Sequence, residues 1–427
     1  MRGSTAGLAD GMIATPESVH ATFLHFIDIV FSSMVLAPIV ILYWRGTWNL
    51  TGLLLFSHNP QLSAIISLSA GILGHLVFNI FQEKLKKNLH PDKHRITYLV
   101  CSRIYTYIYG LACVNCWRGG WILMDHHVPH NLATIFTITF VSTIFLVLMK
   151  GMRNISATPF AISSDHSKDY FTVPTMYKVS AQEPGLYILD CAFSVLVIGT
   201  LVVFVWRGTW VICDLVIYPD DIRMTAWGSL VIGYGVVALT FAMQSLMRWA
   251  CDRLKGFWRV AAADIFLFLS FIGTVNVWRG VWQLCDLYFL KDSPILSNSM
   301  THSFAFLLLA LLNCSNSVLV RGVYIDAEEP AGQCVIFPIY YIRLFFQKER
   351  TKKQKRLIDA LEKLEHNKTT EALLPDKANK TPIILPMNNM TNIHQRSMEL
   401  QAMLGDVESV NEKAQNVEHL ILRSAED

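Results

Sequence analysis

Eight stretches of about twenty mostly apolar residues bound what this chain can fold into. They run over roughly residues 23–43, 62–81, 97–116, 131–149, 186–205, 226–245, 259–277 and 301–320. A helix of that length crosses the roughly 30 Å hydrocarbon layer, and it satisfies its own backbone N–H and C=O groups where no water can. The third stretch is the least apolar, with Arg103 and four tyrosines. The second and sixth use small residues (Ser67, Ala70, Gly71, Gly74; Ser229, Gly233, Gly235) that let helix backbones approach closely. The expectation is an all-α polytopic membrane protein. Composition agrees, because 52% of residues are apolar and 16% charged, while a net charge of +3 gives no footprint for nucleic acid. Residues 1–20 lack the apolar core of a signal peptide, so the first helix is expected to direct insertion.

Lysine and arginine set the orientation. Loops after the second, fourth and sixth stretches hold thirteen basic residues, among them Lys84, Lys86, Lys87, Arg153, Arg248 and Lys255. The other four loops hold six. Because basic loops stay cytosolic, both termini are expected on the cytosolic side. The resulting domain plan is a cytosolic N-terminus at 1–22, a membrane repeat at 23–149, a cytosolic linker at 150–185, a second membrane repeat at 186–320 and a cytosolic tail at 321–427.

Two repeats are inferred from a motif that recurs four times. WRGTW stands at Trp44 to Trp48 and again at Trp206 to Trp210, with WRGGW at Trp117 to Trp121 and WRGVW at Trp278 to Trp282. Eight residues after the first tryptophan come Asp125, Asp214 and Asp286, while the first copy has Gly52. The spacing fits eight transmembrane helices as two parallel four-helix repeats, with every copy on the outer side. A tryptophan belt with snorkelling arginine explains one copy. Four copies with fixed Arg, Gly and Asp favour a clasp in which glycine ends the helix, the tryptophans fill the seam and arginine pairs with an aspartate of its own or a neighbouring copy. The functional alternative is a vestibule ringed by Arg45, Arg118, Arg207 and Arg279 that attracts an anion.

Four ionisable residues, Asp28, Arg103, Asp190 and Asp264, fall one to two turns inside the cytosolic start of the odd-numbered helices. Intramembrane charges are functional suspects, but at this depth the helix dipole and interface water favour a structural role, including a pair between Arg103 and Asp264 or Asp190. His126, His127 and His130 beside Asp125 have metal-ligand chemistry but no second cluster, so no metal site is expected. Cys213 and Cys285, at equivalent places on the oxidising side, are a candidate disulfide. No Gly-rich phosphate loop, nucleophile triad or paired catalytic carboxylates stands out, which predicts no enzyme and no cofactor.

The tail changes character. Residues 333–346 (QCVIFPIYYIRLFF) are too short to span and are expected at the inner interface. A basic helix at 348–366 follows, with Lys348, Arg350, Lys352, Lys353, Lys355 and Arg356 placed to meet anionic inner-leaflet lipid. Apolar residues at heptad spacing over 393–421 suggest a coiled coil for homo-oligomerisation or partner binding.

Taken together, WRGTW, CWRGGW, VWRGTWVICD and VWRGVWQLCD, eight spans and a basic tail resemble the Fuseless family of animal multi-pass proteins over roughly residues 20–345. That resemblance implies a presynaptic plasma-membrane protein that supports synaptic transmission by organising voltage-gated calcium channels, with presynaptic scaffold proteins as further partners. It brings no catalytic residues. A secondary transporter or channel of 4+4 parallel repeats is the alternative.

Overall fold

The computed structural model describes residues 19–89, 95–165, 170–326 and 333–347, with scattered positions from 349 to 363. Among these residues the fold is all-helical. Helix starts follow local chemistry: Asn59 accepts from the Leu62 N–H ahead of Pro60, Asn131 from Thr134 N–H, and Asp221 from Arg223 and Met224 N–H. Each side chain thereby satisfies donors that have no partner inside the first turn.

In chain order the α-helices are α1 (Val19–Phe31), α2 (Ala37–Leu54), α3 (Pro60–Ile80), α4 (Gln82–Asn88), α5 (Arg95–His127), α6 (Leu132–Leu148), α7 (Pro184–Phe193), α8 (Gly199–Val216), α9 (Ile222–Arg253), α10 (Gly256–Tyr288) and α11 (Pro294–Leu311). One turn of π-helix, Ser32–Leu36, joins α1 to α2, and another, Ser194–Ile198, joins α7 to α8. Six of the resulting helices are long and apolar enough to cross a membrane: Thr22–Leu54, Pro60–Ile80, Pro184–Val216, Ile222–Arg253, Gly256–Tyr288 and Pro294–Leu311. The apolar α6 is shorter, at 17 residues. Large apolar side chains such as Phe136, Phe140, Phe145, Val231, Leu239 and Ile265 are exposed, an outer surface suited to lipid.

Two layers organise the bundle. The helices that carry the motif form a closed inner ring, α2 against α5, α5 against α8, α8 against α10 and α10 against α2. One outer helix backs each of them: α3 on α5, α6 on α8, α9 on α10 and α11 on α2. Motif glycines make this contact. A Cβ at Gly46 would lie 2.6 Å from His302 N, at Gly280 2.7 Å from Leu230 N, and at Gly208 on top of the Thr139 side chain. Glycine therefore does not end the helix as expected, for all four motif helices continue past it; it lets a second backbone come close.

The inner end of the ring is filled by chain rather than by side chains alone. Residues 151–162 and 314–319 are buried, and each run contains a 3-10 turn, Met152–Ile155 and Ser315–Val318. The start of the segment expected as a linker is thus part of the core. Likewise the eighth apolar stretch leaves the helix at Leu311, because the chain turns at Asn313 (φ 54°) into the second buried run. Non-helical backbone at such depth needs internal partners. Asp165 accepts from Ser315 N–H and Asn316 N–H, and Asp326 accepts from Met152 N–H and Arg153 N–H, so each run is capped by the acid that follows the other.

Residues 333–346 also differ from expectation. Val335, Phe337 and Ile339 are buried, with Phe337 packed on Phe160 and Phe266, and Pro338 accepts from Ile162 N–H. The first part of the segment is core, since Phe337 and Tyr340 are buried against the bundle, while Phe345 and Phe346 at its end are exposed. Lys352, Lys353, Lys355 and Arg356 are exposed. Lys348, Arg350 and the candidate coiled coil at 393–421 lie outside the described residues.

Candidate functional site

Four motif copies on a closed ring of helices meet on one axis. A helix places residues four apart on the same face, so both tryptophans of each copy point inward. Trp44, Trp117, Trp206 and Trp278 form a closed ring in which each indole edge meets the next face, with centroids 5.4–5.7 Å apart. One turn along, Trp48, Trp121, Trp210 and Trp282 form a second ring at 5.6–6.0 Å. Such edge-to-face pairs exceed simple area burial by about 0.5–1.5 kcal/mol each.

The eight indoles and Val320 enclose an axial cavity of about 180 Å³. Its inner end is closed by hydrogen bonds to the buried runs: the Trp44 indole N–H donates to Val318 O, Trp206 to Ile155 O and Trp278 to Thr158 O. Each ties a helix of the ring to irregular chain far away in sequence.

Arginine, next to the first tryptophan, points sideways toward the neighbouring helix. Arg45 Nε lies 2.7 Å from Asp286, Arg207 Nε 2.8 Å from Asp125, and Arg279 Nε and Nη2 2.8 and 2.6 Å from Asp214. In every case the carboxylate comes from the preceding copy around the ring. These guanidiniums are almost fully buried, whereas the carboxylates keep one side in water, with side-chain exposures of 37–44%. Outer helices add hydroxyl partners, Thr301 and Ser297 for Arg45, Thr225 and Ser229 for Arg279. Arg118 is the exception, because the preceding copy offers Gly52. The four arginines therefore do not ring a vestibule.

Elsewhere the expected residues have mostly structural partners. Asp28 accepts from Tyr341 N–H, Ile342 N–H and Arg343 Nε, and Asp190 from Thr175 Oγ1, Tyr177 N–H and Val179 N–H. Arg103 faces Asp165 at 3.2 Å and Asn313 at 3.1 Å, not Asp264 or Asp190. Sequence reasoning passed over Asp165 because it sits in the stretch read as a linker. Asp264 is buried and neither carboxylate oxygen has a hydrogen-bond partner. His130 Nε2 turns to Arg207 Nη2 at 3.3 Å, His126 and His127 pack on each other, and no metal-holding group of three forms among the described residues. Cys213 and Cys285 are free thiols. Asp214, beside Cys213, meets Arg279, and six residues from there to Cys285 along α10 are about 9 Å, beyond disulfide reach.

Asp28→Asn tests the tie between α1 and the tail. Losing a charged acceptor for two backbone N–H groups and a guanidinium is expected to cost about 1.5–3 kcal/mol and to speed tryptic cleavage at Arg343. Cleavage at the wild-type rate would show the tie to be dispensable.

A family model described as Fuseless matches residues 23–319. No curated protein and no solved structure matches the chain.

Proposed function

Because the chain belongs to the Fuseless family, we propose that it is a non-enzymatic, eight-pass membrane organiser that positions voltage-gated calcium channels at the presynaptic plasma membrane. The observation that carries this reading is the closed axis. Two hydrogen-bonded chain runs close one end of the cavity that the tryptophan rings line, across the line along which a conduit would pass, and three of four motif arginines are neutralised in place. A bundle locked in this way suits a rigid platform better than alternating access, which needs one repeat to rock against the other.

The platform is built from two parallel four-helix repeats with both termini in the cytosol. Support comes from equivalences about 162 residues apart: the π turns at 32–36 and 194–198, the acids Asp28 and Asp190, and the tryptophans Trp44 and Trp206. Exposed Lys352, Lys353, Lys355 and Arg356 meet anionic inner-leaflet lipid, each charge contributing about 1 kcal/mol near the surface. The tail beyond them supplies contacts to channel or scaffold and a route to homo-oligomers.

Deleting residues 393–427 is expected to reduce recovery of the calcium channel with the protein, at unchanged surface delivery. Unchanged recovery would place the contact elsewhere. Purified protein in liposomes is expected to pass no ion or metabolite from a broad panel. Saturable flux abolished by Arg207→Ala or Asp190→Asn would replace the organiser with a transporter.

A further inference from the structure

The ring of clasps lacks one carboxylate. Each motif arginine takes the aspartate eight residues after the first tryptophan of the preceding copy, and for Arg118 that position is Gly52. A Cβ on Gly52 would lie 3.4 Å from Arg118 Nη2 and 3.8 Å from Nε. The missing side chain would thus have pointed at the guanidinium edge that its three counterparts use for Asp286, Asp125 and Asp214.

Arg118 is only 4% exposed, and its Nε is buried with no partner. Among the described residues its Nη1 donates to Ser67 Oγ at 2.9 Å, while the hydroxyl of Ser63, one turn earlier on the same helix, is buried without a partner. Guanidinium cannot shed its proton, so burial leaves a full charge uncompensated. Beside it opens a cavity of about 410 Å³ whose charged walls are Arg118, Arg45, Lys291 and Asp286. Asp286 is already held by Arg45 and Asn49, which leaves the cavity formally cationic.

We propose that this cavity binds a small carboxylate, which docks on Arg118 Nε and Nη2 in the place that an aspartate fills at the other three corners. A guanidinium edge suits a carboxylate, and the sister clasps use that edge: Arg279 donates from Nε and Nη2 to Asp214 Oδ1, while Arg45 and Arg207 donate from Nε to Asp286 and Asp125. Gly52 then serves as the deliberate gap that turns one structural clasp into a receptor site.

The test uses the full-length protein in detergent, with thermal unfolding followed as sodium acetate replaces sodium chloride at constant ionic strength. Acetate is expected to raise Tm saturably by about 2–4 °C. Gly52→Asp closes the clasp within the chain, so its Tm in chloride should exceed wild type and its acetate response should vanish. Arg118→Gln should also lose the response; if that variant fails to fold, Gly52→Asp still decides. No wild-type response up to about 100 mM acetate, well past a millimolar Kd, would overturn the proposal. So would a full acetate response in Gly52→Asp.

Discussion

Gly119→Ala is expected to destabilise the protein by about 1–3 kcal/mol, whereas Gly120→Ala, one residue along, is expected to stabilise it by up to about 1 kcal/mol. Both glycines belong to the copy WRGGW and both are helical. A Cβ at Gly119 would meet the backbone of α3, 2.6 Å from Ala64 O and closer still to Leu68 N, so α3 or α5 must shift. At Gly120 the nearest atom is Val203 Cγ1 at 3.6 Å, an ordinary contact, and alanine simply removes the entropy cost of glycine in a helix. Thermal unfolding of the two variants in one detergent measures the difference. Equal effects would show that the outer helices do not depend on the motif glycine.

Asp214→Asn is expected to cost about 1–3 kcal/mol, below the 3–5 that breaking a fully buried pair costs. Arg279 is completely buried and would lose its counter-charge, but Asp214 is 42% exposed, so water replaces part of what the carboxylate supplied. Hydroxyls of Ser229 and Thr225 remain and keep the guanidinium partly satisfied. Adding Arg279→Met to Asp214→Asn should recover part of the loss, because the unpaired charge is then gone. A single variant within about 0.5 kcal/mol of wild type, the range of ordinary surface substitutions, would mean that the clasps orient the ring without stabilising it.

Much of the helical plan was legible in local hydropathy, since a helix that faces lipid advertises itself by twenty apolar residues. Its termini were less so. The end of α11 depends on the turn at Asn313, and the chain after it, CSNSVL, mixes buried polar and apolar residues that do not by themselves mark where the helix stops. Residues 150–165 looked like a linker for the opposite reason: Arg153, Asn154, Ser163, Ser164 and Asp165 are polar letters, and only their partners reveal that they are core. Asp165 and Asp326 carried one available signal, a separation of 161 residues that is close to the 162 between Trp44 and Trp206, which the motif-centred repeat did not reach.

By itself the sequence determined the family, the apolar helices and a four-copy code in which Trp, Arg and Gly hold constant offsets, with Asp at its own offset in three of the four copies. Those offsets follow from helix periodicity, which acts over a few residues and therefore shows in one dimension. Tertiary structure decided the cyclic order: which arginine meets which aspartate, which glycine admits which outer helix, and which corner of the ring is left with Gly52. Pairing around a ring is set by the neighbour each helix packs against, a relation between residues as far apart as Arg45 and Asp286 that no local pattern records.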